Sequence, residues 1–270
     1  MKRVVAIGVA AVAAVFGLLV VLRRPSNDRK WAPDQERLAH ADIREPLVTI
    51  HDIRNFTYRS TTDYTPGYYD KTFDLRKLDS LWFVVEPFGR GGAAHTFVSF
   101  GFGDQDFVGI SIEIRKEVGE SFSVIGGMLR NYEVMYVVGD ERDLIGLRAN
   151  HRRDEVYLYR IRATPEAMRA MFLAMLQRAN ALREKPEFYN TLTNTCTTNL
   201  YDHVNEIVPG RIPFHTAVLL PAGADRFAHD LGLLDTNVPF AETKRAARIN
   251  DLAARWDGDA AFSRRIRGLR

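Results

Sequence analysis

The longest uninterrupted run of apolar residues lies near the start of the chain, from Val4 to Leu22. These 19 residues include no charged or polar side chain, and as a helix they would measure about 28 Å, close to the hydrocarbon thickness of a bilayer. Two basic residues precede the run and two arginines follow it directly. A cleaved signal peptide would have a shorter apolar stretch and a small-residue cleavage site. The pattern therefore predicts a membrane anchor in residues 1–23.

The charges beside this segment do not decide its orientation, because both flanks are basic and the positive-inside rule is then ambiguous. Residues 24–46 are polar and contain three prolines, a composition that predicts a linker. We expect the domain proper at residues 47–235 and a basic tail at residues 236–270.

The first part of this domain alternates in the manner of β-strands, with a period of two. The first strand is expected at Leu47–Phe56, and residues 57–80, which are rich in aromatic side chains and turn formers, are expected to form a packed loop. Further strands are expected at Leu81–Glu86, His95–Phe100, Phe107–Ile114, Glu133–Val138, Asp143–Arg148 and Glu155–Ile161.

The period then changes to that of helices. Thr164 followed by Pro165 and Glu166 predicts a helix start, because a hydroxyl can cap the first turn and proline suits its first position. A second helix is expected from about Cys196 to Val208, since Pro209 and Gly210 end it. An antiparallel sheet followed by packed helices is an α+β fold.

The charge distribution argues against a nucleic-acid-binding protein. The formal net charge is +3; residues 1–30 carry +5 and residues 236–270 carry +4, which leaves −6 for residues 31–235. A nucleic-acid-binding domain would carry its basic residues on the body. The basic tail could contact anionic lipid headgroups, but a packed or solvated helix over residues 240–256 is the simpler interpretation.

Cys196, at the expected start of the second helix, is the single cysteine, so no intramolecular disulfide can form. A helix start offers unpaired N–H groups and a positive dipole end, which favour a thiolate and can stabilise an oxyanion. The alternative is a buried and inert thiol, which is common for a free cysteine.

His95 follows a glycine-rich segment, residues 89–94, at the start of an expected strand. A substrate can reach a histidine in such a position, and His95 is therefore the candidate base for Cys196. A structural histidine is the alternative. We expect no metal or cofactor, because His203, His215 and His229 are too far apart in sequence to form ligand pairs and no second cysteine is present.

The alternation of two neighbouring strands predicts a partner for His95. If His95–Phe100 and Phe107–Ile114 form a hairpin, their apolar faces coincide when paired residue numbers add up to 208, for example Val98 with Ile110. Glu113 then lies opposite His95 on the same face, where its carboxylate could orient the imidazole. A salt bridge between Glu113 and an arginine is the competing interpretation.

Five stretches of the sequence together resemble one protein family. The chain resembles the Lnb N-terminal periplasmic domain family over roughly residues 30–235, and the matching stretches are RNFTYRS (54–60), AHTFVSFGF (94–102), SIEIRKE (111–117), DERDLIGLR (140–148) and YNTLTNTCTTN (189–199). The resemblance implies a circularly permuted papain-like fold, related to NlpC/P60 proteins, in which the histidine precedes the cysteine. His95 and Cys196 match the family's histidine and cysteine, whereas Thr195 stands where an asparagine is expected.

The resemblance also implies a place and a chemistry. It implies a membrane-linked domain on the periplasmic or extracellular side. Together with the predicted anchor, this gives an inner-membrane protein with one transmembrane helix and a soluble domain on that side. The expected activity is acyl transfer or hydrolysis through Cys196 and His95, with a membrane lipid or lipoprotein as substrate. A cell-wall peptidase or amidase, and a non-catalytic binding module with the same fold, remain alternatives. The oligomeric state is open.

Overall fold

The computed structural model describes residues 17–18, 20–88, 92–103, 105–255 and 261–269. Most of the expected anchor, residues 1–16 and 19, lies outside this part of the chain. Within the described part, no helix has the length and hydrophobicity needed to cross a membrane.

One eight-stranded sheet forms the centre of the molecule. Its strand order is β1-β2-β9-β8-β7-β6-β10, and β5 pairs with β2 beside this path. The sheet strands are β1 (His40–Arg44), β2 (Leu47–Arg54), β5 (Tyr68–Asp74), β6 (Leu78–Pro87), β7 (Ala94–Phe102), β8 (Asp106–Arg115), β9 (Glu133–Gly139) and β10 (Tyr157–Arg160). A separate pair consists of β3 (Thr57–Tyr58) and β4 (Tyr64–Thr65). The pairing is antiparallel except between β2 and β9, which meet in parallel at Arg54 and Gly139.

The predicted register between β7 and β8 is confirmed. The ladder runs from Val98 paired with Ile110 to Phe102 paired with Asp106. Gly103 follows in the turn with a φ of +67°, a conformation that glycine adopts without steric cost. The ladder ends at Val98, whereas β8 continues to Arg115 in its pairing with β9.

Helices cover both faces of this sheet. They are α1 (Val124–Met128), α2 (Glu141–Gly146), α3 (Pro165–Glu184), α4 (Cys196–Ile207), α5 (Thr216–Leu219), α6 (Ala224–Asp230), α7 (Phe240–Ala247), α8 (Asn250–Ala253) and α9 (Phe262–Arg265). Both predicted helices are confirmed as α3 and α4. Thr164 caps α3, where its hydroxyl accepts a hydrogen bond from the N–H of Ala167.

The alternation of β7 divides its side chains between two cores. Val98 and Phe100 pack in the larger core with residues of α3 and α4, including Phe172 and Leu200. Phe97 packs in a second core on the other side, with residues of α2, α8 and α9. Each side chain of β7 therefore faces the opposite direction from its neighbour, as the period of a strand requires.

The structure corrects several expectations. Residues 57–80 contain three whole strands and the first residues of β6 instead of a packed loop, and residues 40–44 of the expected linker form β1. The segment Asp143–Arg148 is helical instead of a strand, because Asp140 caps α2 by accepting a hydrogen bond from the N–H of Arg142. The basic tail is also part of the fold, since Ile249 and Phe262 are buried in the second core.

Candidate active site

Cys196 is the first residue of α4, as the sequence predicts. The preceding residue, Thr195, is the N-cap, and its hydroxyl accepts a hydrogen bond from the N–H of Thr198. The Thr198 hydroxyl in turn accepts one from the N–H of Thr195. This reciprocal capping box fixes the start of the helix and, with it, the position of the thiol.

Two amide groups at this helix start are free. Among the described residues, the N–H groups of Cys196 and Thr197 have no hydrogen-bond partner. The first N–H groups of a helix lack intrahelical acceptors, and the helix dipole adds to their positive potential. Such a pair beside a thiol has the composition of an oxyanion hole.

The buried network under α4 fixes the loop before the cysteine. The side-chain amide of Asn199 donates to the side-chain oxygen of Asn194 and to the carbonyl of Thr195. Asn199 accepts in return from the hydroxyl of Tyr136, and Tyr136 also lies 2.9 Å from Nε2 of His203. Burial lowers the pKa of His203. His203 therefore belongs to the support of this loop.

His95 lies near the start of β7 and is held through one ring nitrogen. Its Nε2 atom is 2.7 Å from Oγ of Ser111, and the Ser111 hydroxyl donates to Oε1 of Glu113 at 2.9 Å. Because the only hydroxyl proton is directed at Glu113, Ser111 accepts from Nε2–H of His95. Glu113 itself lies 3.8 Å from Nε2. The carboxylate thus shares a face with the imidazole, as predicted, but acts on it through Ser111.

This arrangement leaves Nδ1 of His95 unprotonated. No described residue makes a hydrogen bond with Nδ1, and Nδ1 is not one of the fully buried atoms that lack a partner. A neutral imidazole held at Nε2 presents Nδ1 as its basic nitrogen.

Arg148 controls the charge around His95. Its side chain is 3% exposed, and its guanidinium lies 2.7 Å from Oε2 of Glu86 and 2.9 Å from Oε1 of Glu113. Burial and the charge of Arg148 lower the pKa of His95 to about 4. Burial alone would raise the pKa of Glu113, but the charge of Arg148, together with His95, Arg54 and the hydrogen bond from Ser111, outweighs burial and holds that pKa well below its ordinary value. The site therefore holds a neutral histidine and a carboxylate at neutral pH. Both interpretations of Glu113, the partner of His95 and the partner of an arginine, apply together.

The structure does not bring His95 and Cys196 into contact. Thr96, the residue after His95, faces α4 and lies 3.0 Å from the hydroxyl of Thr197, whereas His95 stacks on Phe97 of the second core. Cys196 is half-buried against the larger core, and its sulfur lies 3.6 Å from the hydroxyl of Thr197. The two side chains therefore point to opposite faces of β7, although they lie at the same level of the sheet.

Sequence reasoning missed three residues of this region. Ser111 links His95 to Glu113, Arg148 neutralises Glu113, and Thr197 joins α4 to β7. Ser111 lies in the stretch SIEIRKE and Arg148 in the stretch DERDLIGLR. Both stretches resemble the family, and this resemblance was the signal that could have identified the two residues. Within the described residues no cluster of three or more histidine, cysteine or carboxylate side chains is arranged to hold a metal ion.

Comparisons with known proteins place this site in a family. Neither the curated proteins nor the solved structures give a match to the chain. The family model described as "Lnb N-terminal periplasmic domain" matches residues 64–222, which is more than half of the chain and includes His95, Glu113 and Cys196. The chain therefore belongs to the Lnb N-terminal periplasmic domain family.

Proposed function

We propose that this protein is a membrane-anchored thiol enzyme that transfers or hydrolyses acyl groups, with Cys196 as its nucleophile. The observation that carries the proposal is the position of Cys196 at a capped helix start, beside the two free amides of Cys196 and Thr197. A thiolate and an oxyanion hole are the two groups that acyl transfer needs at one place.

An apolar cavity against α4 favours acyl substrates. A cavity of about 120 Å³ lies between the sheet and α4, and Thr197 is one of its lining residues. Its other lining side chains, such as Phe83, Val98, Leu200 and Phe227, are almost all apolar. Apolar cavities of this order of size take up small apolar groups. The cavity suits part of a fatty acyl chain better than a cell-wall peptide.

The proposed reaction has two steps. The thiolate of Cys196 attacks the ester carbonyl, the new S–C bond forms, and the amides of Cys196 and Thr197 hold the oxyanion. The C–O bond then breaks, and the alcohol leaves with the proton that the thiol released. In the second step an amine or water attacks the thioester and regenerates the thiol.

His95 is the proposed proton acceptor, through Nδ1. The two side chains lie on opposite faces of β7, so the transfer requires a shift of the first residues of β7 that brings His95 to the side of Cys196 when substrate binds. Catalytic hydrogen bonds are often long in the absence of substrate. The order of His95 and Cys196 along the chain, and a helix that starts with the cysteine and packs on the sheet, support a circularly permuted papain-like fold.

A binding module without catalysis is the second candidate. The separation of Cys196 from His95 on opposite faces of β7 favours it, since such a module needs the apolar cavity but no base. This candidate predicts that Cys196→Ser is silent.

A covalent-intermediate experiment separates the two candidates. The full chain in detergent is incubated with a phospholipid or a p-nitrophenyl acyl ester, stopped in acid, and analysed by intact mass. We expect an acyl adduct on Cys196 that hydroxylamine removes, no adduct in Cys196→Ser, and formation about 100-fold or more slower in His95→Gln. An unmodified wild-type chain under these conditions would refute the enzyme, and normal rates in His95→Gln would refute His95 as its base.

A further inference from the structure

An exposed apolar patch lies beside the candidate site. It consists of α1 and the segments next to it, and we call it the α1 patch; its members are Val118, Phe122, Val124, Ile125, Met128 and Leu192. Ile125 is 67% exposed and Val118 66%. Contiguous exposed apolar surface of this kind usually marks a site of contact with a membrane or a partner protein.

The part of the patch on α1 adjoins the part on the loop before Cys196, because α1 packs on that loop. The hydroxyl of Thr191 donates to the carbonyl of Val124 at 2.8 Å, and the ring of Phe122 contacts those of Tyr132 and Tyr189. Leu192 belongs to the same loop, four residues before the thiol.

The apolar N-terminal run leads into this patch. The guanidinium of Arg23 binds the carbonyl of Leu129 at 3.3 Å and also the side chain of Asn131, directly after α1. Arg130 in turn donates to the carbonyl of Val21 at 3.0 Å. The last residues of the run, Val21 and Leu22, are themselves exposed. The chain therefore passes from the apolar run into the fold at the edge of the α1 patch.

The charges at this edge suit phospholipid headgroups. Arg23, Arg24 and Arg130 are at or next to the junction, and arginine binds phosphate groups well. An apolar surface bordered by basic side chains is typical of a segment that lies in the membrane interface.

We propose that the α1 patch inserts into the interfacial layer of a phospholipid bilayer and holds the Cys196 end of α4 against the membrane surface. The proposal rests on the proposed function, in which residues 1–23 anchor the protein, and adds a second contact with the same membrane. It explains how a thiol on a rigid domain reaches an ester bond that lies at headgroup depth.

Lipid-quenching of site-specific labels tests this directly on the full chain. In a Cys196→Ser background, single cysteines are introduced as Ile125→Cys, Met128→Cys and Leu18→Cys, labelled with an environment-sensitive fluorophore and reconstituted into phosphatidylcholine–phosphatidylglycerol vesicles. Val238→Cys is the matched control, because Val238 is 45% exposed, against 42% for Met128, and it follows the bridge between Ile161 and Leu234 beside the edge strand β10, whereas α1 lies before the central strand β9.

We expect lipids brominated near the headgroup end of the acyl chain to quench the labels at positions 125 and 128 but not at position 238. Quenching at position 18 without quenching at 125 and 128 would overturn the proposal, because the chain would then be anchored with the patch in water. Labels at 125 and 128 that are protected from aqueous iodide yet unaffected by bromolipid would also overturn it, because protein and not lipid would then cover the patch.

A second measurement separates this proposal from the proposed function. We expect Ile125→Glu to slow acylation by vesicle-embedded phospholipid and to leave acylation by a short p-nitrophenyl ester unchanged. If Ile125→Glu reacts with vesicle-embedded phospholipid at the wild-type rate, the role of the patch is overturned. A chain that reacts with neither donor refutes the enzyme, whereas the quenching pattern still decides the membrane contact.

Discussion

The hydroxyl groups of Thr96 and Thr197 lie 3.0 Å apart. Each of these residues directly follows a candidate catalytic residue, so the contact aligns the start of α4 with the start of β7. Both side chains are buried, with exposures of 0% for Thr96 and 8% for Thr197. A hydroxyl pair in such a place stabilises the fold only while both partners are present.

We therefore expect Thr197→Val to lower the free energy of unfolding by about 1–3 kcal/mol, because the Thr96 hydroxyl loses its partner in a buried site. The double variant Thr96→Val with Thr197→Val should recover part of this loss, since no polar group is then left unpaired. Urea unfolding in detergent of the wild type, the two single variants and the double variant gives the coupling free energy between the two hydroxyls. Strictly additive losses would mean that the two hydroxyls do not interact.

The buried neutral state of His95 makes stability depend on pH. Its pKa is lowered from 6.5 to about 4, so between these values the unfolded chain binds a proton that the folded chain does not. Stability is then lost as the pH falls from about 6.5 towards 4, by roughly 3 kcal/mol at most.

Unfolding measured by urea at several pH values between 7 and 4.5 checks this, with His95→Gln as the control. We expect the wild-type chain to lose more stability over that range than the variant. The range avoids Glu113, whose lowered pKa affects stability only below about its ordinary value of 4.5. If the unfolding free energy changes with pH by the same amount in the wild type and in His95→Gln, His95 has an ordinary pKa in the folded protein.

Local alternation predicted the register and the face of Glu113, because a shift by one residue would have exposed the apolar face of β8. It could not predict which side of β7 meets α4. That depends on packing between elements a hundred residues apart, where Val98 and Phe100 join the helices of the larger core and Phe97 joins the second. Pairing Cys196 with His95 assumed that both side chains lie on the same face of β7, which the structure does not show.

The helix α2 illustrates a second limit of prediction from the sequence. Its apolar pair, Leu144 and Ile145, is too short to separate a strand from a buried helix by periodicity. The signal that would have decided it is Asp140, whose carboxylate accepts from the N–H of Arg142 as an N-cap. This difference matters for the site, because a π-helical turn, Leu147–Arg152, continues α2 and directs Arg148 towards Glu86 and Glu113.

Ser111 sets the tautomer of His95 in our interpretation. We expect Ser111→Ala to remove the acceptor for Nε2–H, so that the imidazole exchanges between its two neutral tautomers. Nitrogen chemical shifts of His95 should move from a pattern with protonated Nε2 towards averaged values. Ser99→Ala, which removes another buried hydroxyl on the same strand face as His95 and bound to Glu141, is the control and should leave the His95 shifts unchanged. Identical His95 shifts in Ser111→Ala and wild type would contradict the role of Ser111.

Glu113 has two partners, and its variants should separate their effects. In Glu113→Gln the amide oxygen can still accept from Ser111, so the tautomer of His95 is retained, but Arg148 loses one of its two carboxylates. We expect a loss of about 2 kcal/mol in unfolding free energy, because Arg148 is buried and only Glu86 remains to balance it. The pKa of His95 should fall further, since the charge of Glu113 raises it.

Turnover should respond to the same change of charge. If His95 accepts the thiol proton, the imidazolium that forms is stabilised by the carboxylate of Glu113, and Glu113→Gln should slow acylation of Cys196 while the nitrogen shifts keep the wild-type tautomer pattern. Glu113→Ala should slow it at least as much and should also lose that pattern, because Ser111 then has no acceptor. The measurement is the rate of acyl-adduct formation at a pH where both variants are folded. If both variants acylate at the wild-type rate while His95→Gln does not, the carboxylate is a partner of Arg148 alone and another group stabilises the charged imidazole.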